Sequence, residues 1–267
     1  MISGSFAKDR NFVKVGNIMK IPSPLELRVN LKAHVYDYTV MSDQKAGLPK
    51  PPNFKEYDPN GTIIELPDYK ACPLKHDSLI RAMTERRSNR VYTDEPVSLM
   101  ELSFLLYYTQ GLRGFNTERN VALRVVPSAG CRHPFETYVV CRNIAGLEQG
   151  VYRYLPQEHK LLQVKTMDEE TTQHYADAVK QPFAAQAAVS FFWTTVPYRS
   201  EWRYPTHAQK VILIDSGHIC QNLYLACEAI GCGACAIGAY DQTESDWLCE
   251  ADGEDEFVVY AATVGKV

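Results

Sequence analysis

Five consecutive residues, Arg86-Arg87-Ser88-Asn89-Arg90, bring three guanidinium groups and a hydroxyl together. Guanidinium forks match phosphate oxygens in geometry as well as charge, and a serine adds a neutral donor. On its own the segment reads as a solvated basic helix end, with a phosphate grip as the alternative. A second segment, Pro127-Ser128-Ala129-Gly130-Cys131-Arg132-His133-Pro134, sets small residues between two expected strands. Small side chains admit a flat ligand close to the backbone, and glycine accepts positive φ. A third, Trp202-Arg203-Tyr204, follows Tyr198, Arg199 and Glu201 and interleaves aromatic and basic groups ahead of an apolar helix. Such a loop can cover a flat aromatic ligand or lie as ordinary surface.

A fourth segment runs Gly231-Cys232-Gly233-Ala234-Cys235-Ala236-Ile237-Gly238. It fits the dinucleotide pattern G-x-G-x-x-A, but that pattern needs a strand before it, and a helix is expected there. Cys232 and Cys235 have the spacing of a zinc or redox half-site, yet no second pair exists to complete four ligands. The segment is therefore expected to be a packed apolar turn, and no metal is expected. Asp215, Ser216 and His218 are triad residue types, but their spacing on one helix cannot assemble a nucleophile relay. Cys220 and Cys227 read as core.

The elements that would position these groups are regular from Asp77 onward. A short helix is expected over Asp77–Arg87. Ser98-Leu99-Met100-Glu101 forms a capping box opening a helix over Leu99–Gln110, which Gly111 stops. Strands are expected at Ala122–Val126, Thr137–Arg142, Ala187–Thr195 and Phe257–Val264, and a hairpin at Val151–Leu155 and Lys160–Val164. A helix over Asp168–Lys180 and a short one around Asp246 and Trp247 complete the set. The longest helix, Thr206–Ile230, is apolar on most faces and long enough to serve two subunits. Strands and helices mix without strict alternation, which favours α+β with a largely antiparallel central sheet. Residues 1–75 hold eight of the 15 prolines and read as one helix near Pro24–Tyr38 followed by an extended arm suited to wrapping a partner. The regular domain is 76–267.

The 267 residues carry 28 basic and 32 acidic side chains, a formal charge of −4. This balance offers no electrostatic footprint for nucleic acid or anionic membrane. No apolar run approaches the ~18 residues of a membrane span, and no signal peptide is visible. Eight cysteines without a secretory signal suit a reducing compartment, so the protein is expected in the cytoplasm.

Taken in order, the segments resemble the nitroreductase-like flavoproteins, and within them the SagB-type dehydrogenase branch. The residues that carry this are R-R-S-x-R at Arg86–Arg90, P-S-A-G-x-x-H-P at Pro127–Pro134 and G-V-Y-R-Y at Gly150–Tyr154. D-x-G-H-x-x-Q-N-L-Y-L-A at Asp215–Ala226, G-x-G-A-C-A-I-G at Gly231–Gly238 and V-G-K at Val264–Lys266 follow. The resemblance implies an α+β homodimer with FMN at the subunit interface and the long helix at that interface. It implies that Arg86, Arg87, Ser88 and Arg90, with Lys266, hold the FMN phosphate and ribityl chain. Pro127, Ser128, Ala129, Gly130 and Cys131 would lie along the isoalloxazine, from the partner subunit, and Ala236, Ile237 and Gly238 would face the ring.

One departure from the branch matters. Where azoline-oxidising members carry a Lys-Tyr pair before the long helix, this chain has Arg203-Tyr204. Arginine stays charged and cannot serve as a base. Tyr204 is then the candidate proton donor or acceptor, and Arg203 the group that orients a carbonyl or anion. The expected activity is FMN-dependent dehydrogenation of a small or peptide-borne substrate such as a heterocycle. The alternatives are NAD(P)H-driven reduction of nitro or quinone compounds, with NAD(P)H as transient donor, and a non-catalytic FMN-binding scaffold subunit.

Overall fold

The structure is a computed structural model that describes residues 23–32 and 39–267, with the backbone of Lys14–Val15 and Ile18–Met19. Contacts divide the chain into two units, Met1–Val40 and Met41–Val267. In the first, Lys14–Val15 pairs antiparallel with Ile18–Met19. Ser23 opens the helix Pro24–Leu27: its amide donates to Glu26 Oε2 at 2.7 Å, and its hydroxyl accepts from the Glu26 amide. The helix tightens to a 3₁₀ turn over Arg28–Leu31. The helix expected over Pro24–Tyr38 is therefore much shorter, and residues 33–38 of it lie outside the described residues. Every residue from 23 to 32 is exposed, so no core contact repays helix propagation.

The second unit is built on seven strands: β1 (Ile63–Glu65), β2 (Phe135–Cys141), β3 (Gly150–Leu155), β4 (Lys160–Thr166), β5 (Val189–Thr195), β6 (Cys232–Ile237) and β7 (Phe257–Lys266). They form one sheet in the order β6-β7-β5-β2-β3-β4-β1, antiparallel throughout. Five helices flank it: α1 (Leu79–Glu85), α2 (Leu99–Gln110), α3 (Glu169–Val179), α4 (Ala208–Ile230) and α5 (Gln242–Leu248). The α+β reading and the antiparallel sheet both hold.

Alternation along the strands feeds two cores. On one face Phe191, Val139 and Val264 pack with Leu102 and Leu105 of α2 and with Ile212, Ile219 and Leu223 of α4. On the other, Phe192, Tyr138 and Ala261 pack with Tyr175 and Val179 of α3 and Leu248 of α5. Helices on both faces leave β2 and β5 wholly buried. The strand expected near Ala122–Val126 forms, but outside the main sheet: Val121–Arg124 pairs with Leu112–Asn116 in a separate ribbon.

Gly231–Gly238 is not a turn. Gly231 (φ +73) ends α4, and Cys232–Ile237 continues as β6, paired with β7 from Cys232–Lys266 to Ile237–Ala261. Gly233, Ala234 and Ala236 have low strand propensity, so pairing with β7 decides the outcome. Cys232 and Cys235 sit three apart on a strand, so they point to opposite faces.

Residues 41–75 pack on the chain's own body. Ser42 caps the helix Asp43–Ala46, and Trp202 Nε1 donates to Leu48 O at 3.1 Å. Arg153 Nη2 donates to Glu56 O at 2.9 Å, β1 pairs with β4, and Tyr69 stacks on Tyr107 with centroids 3.4 Å apart. No helix among the described residues is long and apolar enough to cross a membrane.

Candidate active site

The expected site residues gather in two groups, one on each side of α4. The first starts where α1 ends. Arg87 turns back on that end, and its Nη1 donates to the carbonyls of Thr84, Glu85 and Arg86. The chain then runs beside β6: the Asn89 amide donates to Ala234 O at 2.8 Å, and Ser88 bridges Ala234 in parallel. Gly233 permits this approach, since a Cβ there would fall 2.4 Å from Asn89 Nδ2.

Tyr224 of α4 ties the group together. Its hydroxyl accepts from the Ala236 amide at 2.8 Å and lies 3.0 Å from Ser88 Oγ. With Ala236 donating, the tyrosine proton is free for Ser88. The Arg86 guanidinium sits 5.2 Å from the Tyr224 ring centre, and Arg90 lies 6.0 Å from that of Phe183. No described carboxylate forms an ion pair with Arg86, Arg87 or Arg90. Lys266 differs: its Nζ meets Glu101 Oε1 at 2.5 Å, and both side chains are largely buried. Burial alone would lower Lys266, but the Glu101 carboxylate raises it above the usual lysine range.

The second group is the loop 127–133 with the turn before α4. The loop takes positive φ at Gly130 (+58), Cys131 (+52) and His133 (+45). Non-glycine residues held there cost on the order of 1–3 kcal/mol each, so surrounding bonds must impose the shape. Ser128 Oγ accepts from the His133 amide at 2.9 Å, and the Ala129 amide donates to the Asp215 carboxylate of α4. Asp215 is buried, and that burial raises its pKa. His133 is buried beside Arg124 and Arg132, which lowers it to about 3 and keeps it neutral.

The positive φ turns Gly130 onto the next segment. A Cβ at Gly130 would lie 2.5 Å from Tyr204 Oη and 3.2 Å from Arg203 Nε. The tyrosine hydroxyl and the arginine therefore meet the bare backbone of the small-residue loop. Arg203 is exposed, and Tyr204 is half-buried.

The structure brings Arg86, Ser88 and Ala236 together, and separately Gly130, Arg203 and Tyr204. It does not join the two groups within one chain. Asp215 and Tyr224, which hold them, are nine residues apart on α4: about 13 Å along the axis and half a turn round it. Gly238 lies just past β6 on open backbone. Pro127 is exposed, Cys131 half-exposed and Ile237 buried.

Sequence reasoning did not assign roles to Tyr224, Asp215, Arg132 and Lys50. Tyr224 and Asp215 stand inside the Asp215–Ala226 motif, which was a signal. Lys50 had none, because it reaches the loop from the proline-rich segment.

Residues 83–266 match the family described as the Nitroreductase family. A protein of Methanocaldococcus jannaschii named as a nitroreductase is 36% identical over 185 residues, covering 68% of this chain and 86% of that protein. The trifolitoxin-processing protein TfxB of Rhizobium leguminosarum bv. trifolii is 33% identical over 112 residues, 40% of this chain and 30% of that protein. A solved structure from Anabaena variabilis, also named for this family, aligns with a TM-score of 0.65 at 25% identity over 86% of this chain. The match spans 45% of the Anabaena chain, less than half its length. From the sequence match and the shared fold together, the chain belongs to the nitroreductase family.

Proposed function

We propose that the protein is an FMN-dependent oxidoreductase of the SagB type that dehydrogenates a C–N unit in a small or peptide-borne substrate. The observation that carries this reading is the contact of Tyr204 Oη and Arg203 with Gly130, which sets a proton-bearing hydroxyl and a cation beside a bare, flat-ligand loop. The likeness to TfxB, a trifolitoxin-processing protein, supports a peptide-borne substrate.

The residues fit FMN. Arg86 and Arg90 lack carboxylate partners, and Ser88 adds a hydroxyl, which suits a phosphate. Arg87 serves as a further positive group over the end of α1. Lys266 is already balanced by Glu101, so the arginines and Ser88 are the stronger phosphate ligands. Ala236, Ile237 and Gly238, with Pro127, Ser128, Ala129, Gly130 and Cys131, offer backbone to a flat ring. Bound FMN would supply the two-electron chemistry, while the protein orients substrate and handles protons. Tyr204 gives or takes the proton at Oη, and Arg203 orients the substrate.

The site is completed by a second copy of the chain. The two groups lie on opposite faces of α4, so one flavin is served by one group from each subunit. Exposed apolar side chains on α1 (Leu79, Ile80, Met83) and α4 (Leu213, Ile214) support a homodimer through these helices. Eight free cysteines, seven of them buried, support a cytoplasmic setting.

The absorbance spectrum of the purified protein tests the cofactor. A flavin band is expected, and no band after FMN addition overturns the reading. Azoline peptides test the substrate class: flavin reduction by one supports it, and none by any sinks it. The M. jannaschii likeness favours a second reading, NAD(P)H-driven reduction of nitro or quinone compounds. Fast bleaching by NADH or NADPH would select it, and slow bleaching the dehydrogenase. Full function in vivo after Arg203→Ala and Tyr204→Phe, with FMN retained, would select a scaffold role.

A further inference from the structure

We propose that Arg132, Lys50 and Arg203 form an anion-binding subsite beside Tyr204, so that the substrate carries a carboxylate or phosphate next to the group that reacts. This rests on the reading that Tyr204 faces the substrate.

Arg132 is 5% exposed, and its guanidinium lies 5.2 Å from the Trp202 ring centre. Its Nε and Nη1 are buried with no hydrogen-bond partner among the described residues. An unpartnered buried cation is costly unless something neutralises it. The other buried arginines of this region have a carboxylate neighbour: Arg199 meets Glu136 at 2.6 Å, and Glu136 also acts on Arg124, which donates to Gln110 Oε1 and Phe135 O although its Nε and Nη2 have no hydrogen-bond partner among the described residues.

Lys50 comes from the segment packed across the loop. Its Nζ donates to Asn53 Oδ1 at 2.6 Å and to Asn120 O, both neutral acceptors. The titratable neighbours that act on Arg132 are Arg203, Tyr204 and Cys131, and those that act on Lys50 are Arg132 and Cys131. No carboxylate is among them. Asp215, the acid bonded to the loop, is engaged by Ser128 and the Ala129 amide. Burial and Arg132 lower Lys50 to about 8, and burial and Arg203 lower Arg132. Three cations thus crowd one place without a counter-charge. Arg203 carries the cluster out to the surface, where Tyr204 stands. An anion entering there relieves the repulsion and meets a planar fork suited to carboxylate or phosphate.

The probes are benzoate, phenyl phosphate and the neutral benzamide, titrated calorimetrically into the FMN-loaded protein. Benzoate or phenyl phosphate is expected to bind at least tenfold more tightly than benzamide. The stronger of the two identifies the anion as carboxylate or phosphate. Arg132→Gln is expected to weaken that binding about tenfold or more, Lys50→Gln by a few fold, and Arg132→Lys to restore part of it. Equal binding of benzoate, phenyl phosphate and benzamide overturns the proposal, as does unchanged anion binding in both Arg132→Gln and Lys50→Gln. If Arg132→Gln fails to fold, Lys50→Gln and Arg203→Gln decide alone. The flavin reading fails separately: a protein that takes up no FMN yet binds the anion through Arg132 keeps the subsite and loses the cofactor.

Discussion

The two faces of α4 carry two differently made half-sites. At Arg86–Arg90 the backbone is hydrogen-bonded along β6, and one tyrosine, Tyr224, joins Ser88 to Ala236. At Gly130 the backbone bends through three left-handed residues, and its neighbours come from places distant in sequence: Lys50, Arg203, Tyr204 and Asp215. The first is a sheet edge with charge attached; the second is a strained loop held by its neighbours. A fixed cofactor needs the former, and a variable substrate suits the latter.

The largest expected break in this comparison is Tyr204→Phe. Loss of a positioned proton-transfer group lowers kcat by roughly 10²–10⁴-fold. FMN content, read from the absorbance spectrum, should stay at the parent level; unchanged turnover would remove Tyr204 from the chemistry. On the opposite face, Arg86→Ala should weaken FMN binding by about 10–100-fold, the loss of a charged hydrogen bond. Turnover at saturating FMN should survive, and an FMN titration that matches the parent would strip Arg86 of its role.

Gly130→Ala sharpens the loop side. The added methyl strains a left-handed position and collides with Tyr204 Oη, so a stability loss of about 1–2 kcal/mol is expected with a displaced Tyr204. Activity should fall more than FMN affinity does. Equal falls in both would mean that the loop and the phosphate end are not separate.

The smallest effect lies at Glu101, which caps α2 and pairs with Lys266. Burial opposes its charge, but bonds from Lys266 and Ser98 hold its pKa below the usual carboxylate range. The stabilisation is therefore present above the unfolded carboxylate pKa and lost as pH falls through the lowered folded value. Lys266 is raised, so its share is present below the unfolded lysine pKa and lost as pH rises through the folded one. Glu101→Gln should cost about 1–2 kcal/mol near neutrality and almost nothing in acid, measured by urea unfolding across pH. An equal loss at both pH values would leave the pair without a stabilising charge.

Much of the fold was legible because local rules and tertiary structure agree. Ser98 and Glu101 bound α2 as a capping box, the turn from Pro156 marked the hairpin of β3 and β4, and β-branched and aromatic residues marked β5. What escaped depends on partners. β6 reads as a turn because Gly233 and Ala234 have little strand propensity of their own, yet β7 pairs them and Asn89 needs the missing side chain of Gly233. β1 is three residues long and exists only against β4. The charged segment at Arg86 and the Arg203-Tyr204 pair were visible as residue types. Lys50 was not, because its neighbour Arg132 is far away in sequence and nothing local marks their meeting.

The packing of residues 41–57 has one more consequence. This stretch supplies Lys50 and receives the Trp202 indole at Leu48, yet it precedes the part of the chain matched to the family, 83–266. Of the proposed anion subsite, Arg132 and Arg203 lie inside that matched part and Lys50 alone comes from outside it. Under the proposed subsite, exchanging the 41–57 segment would then adjust anion binding through Lys50 while leaving the family-matched core intact.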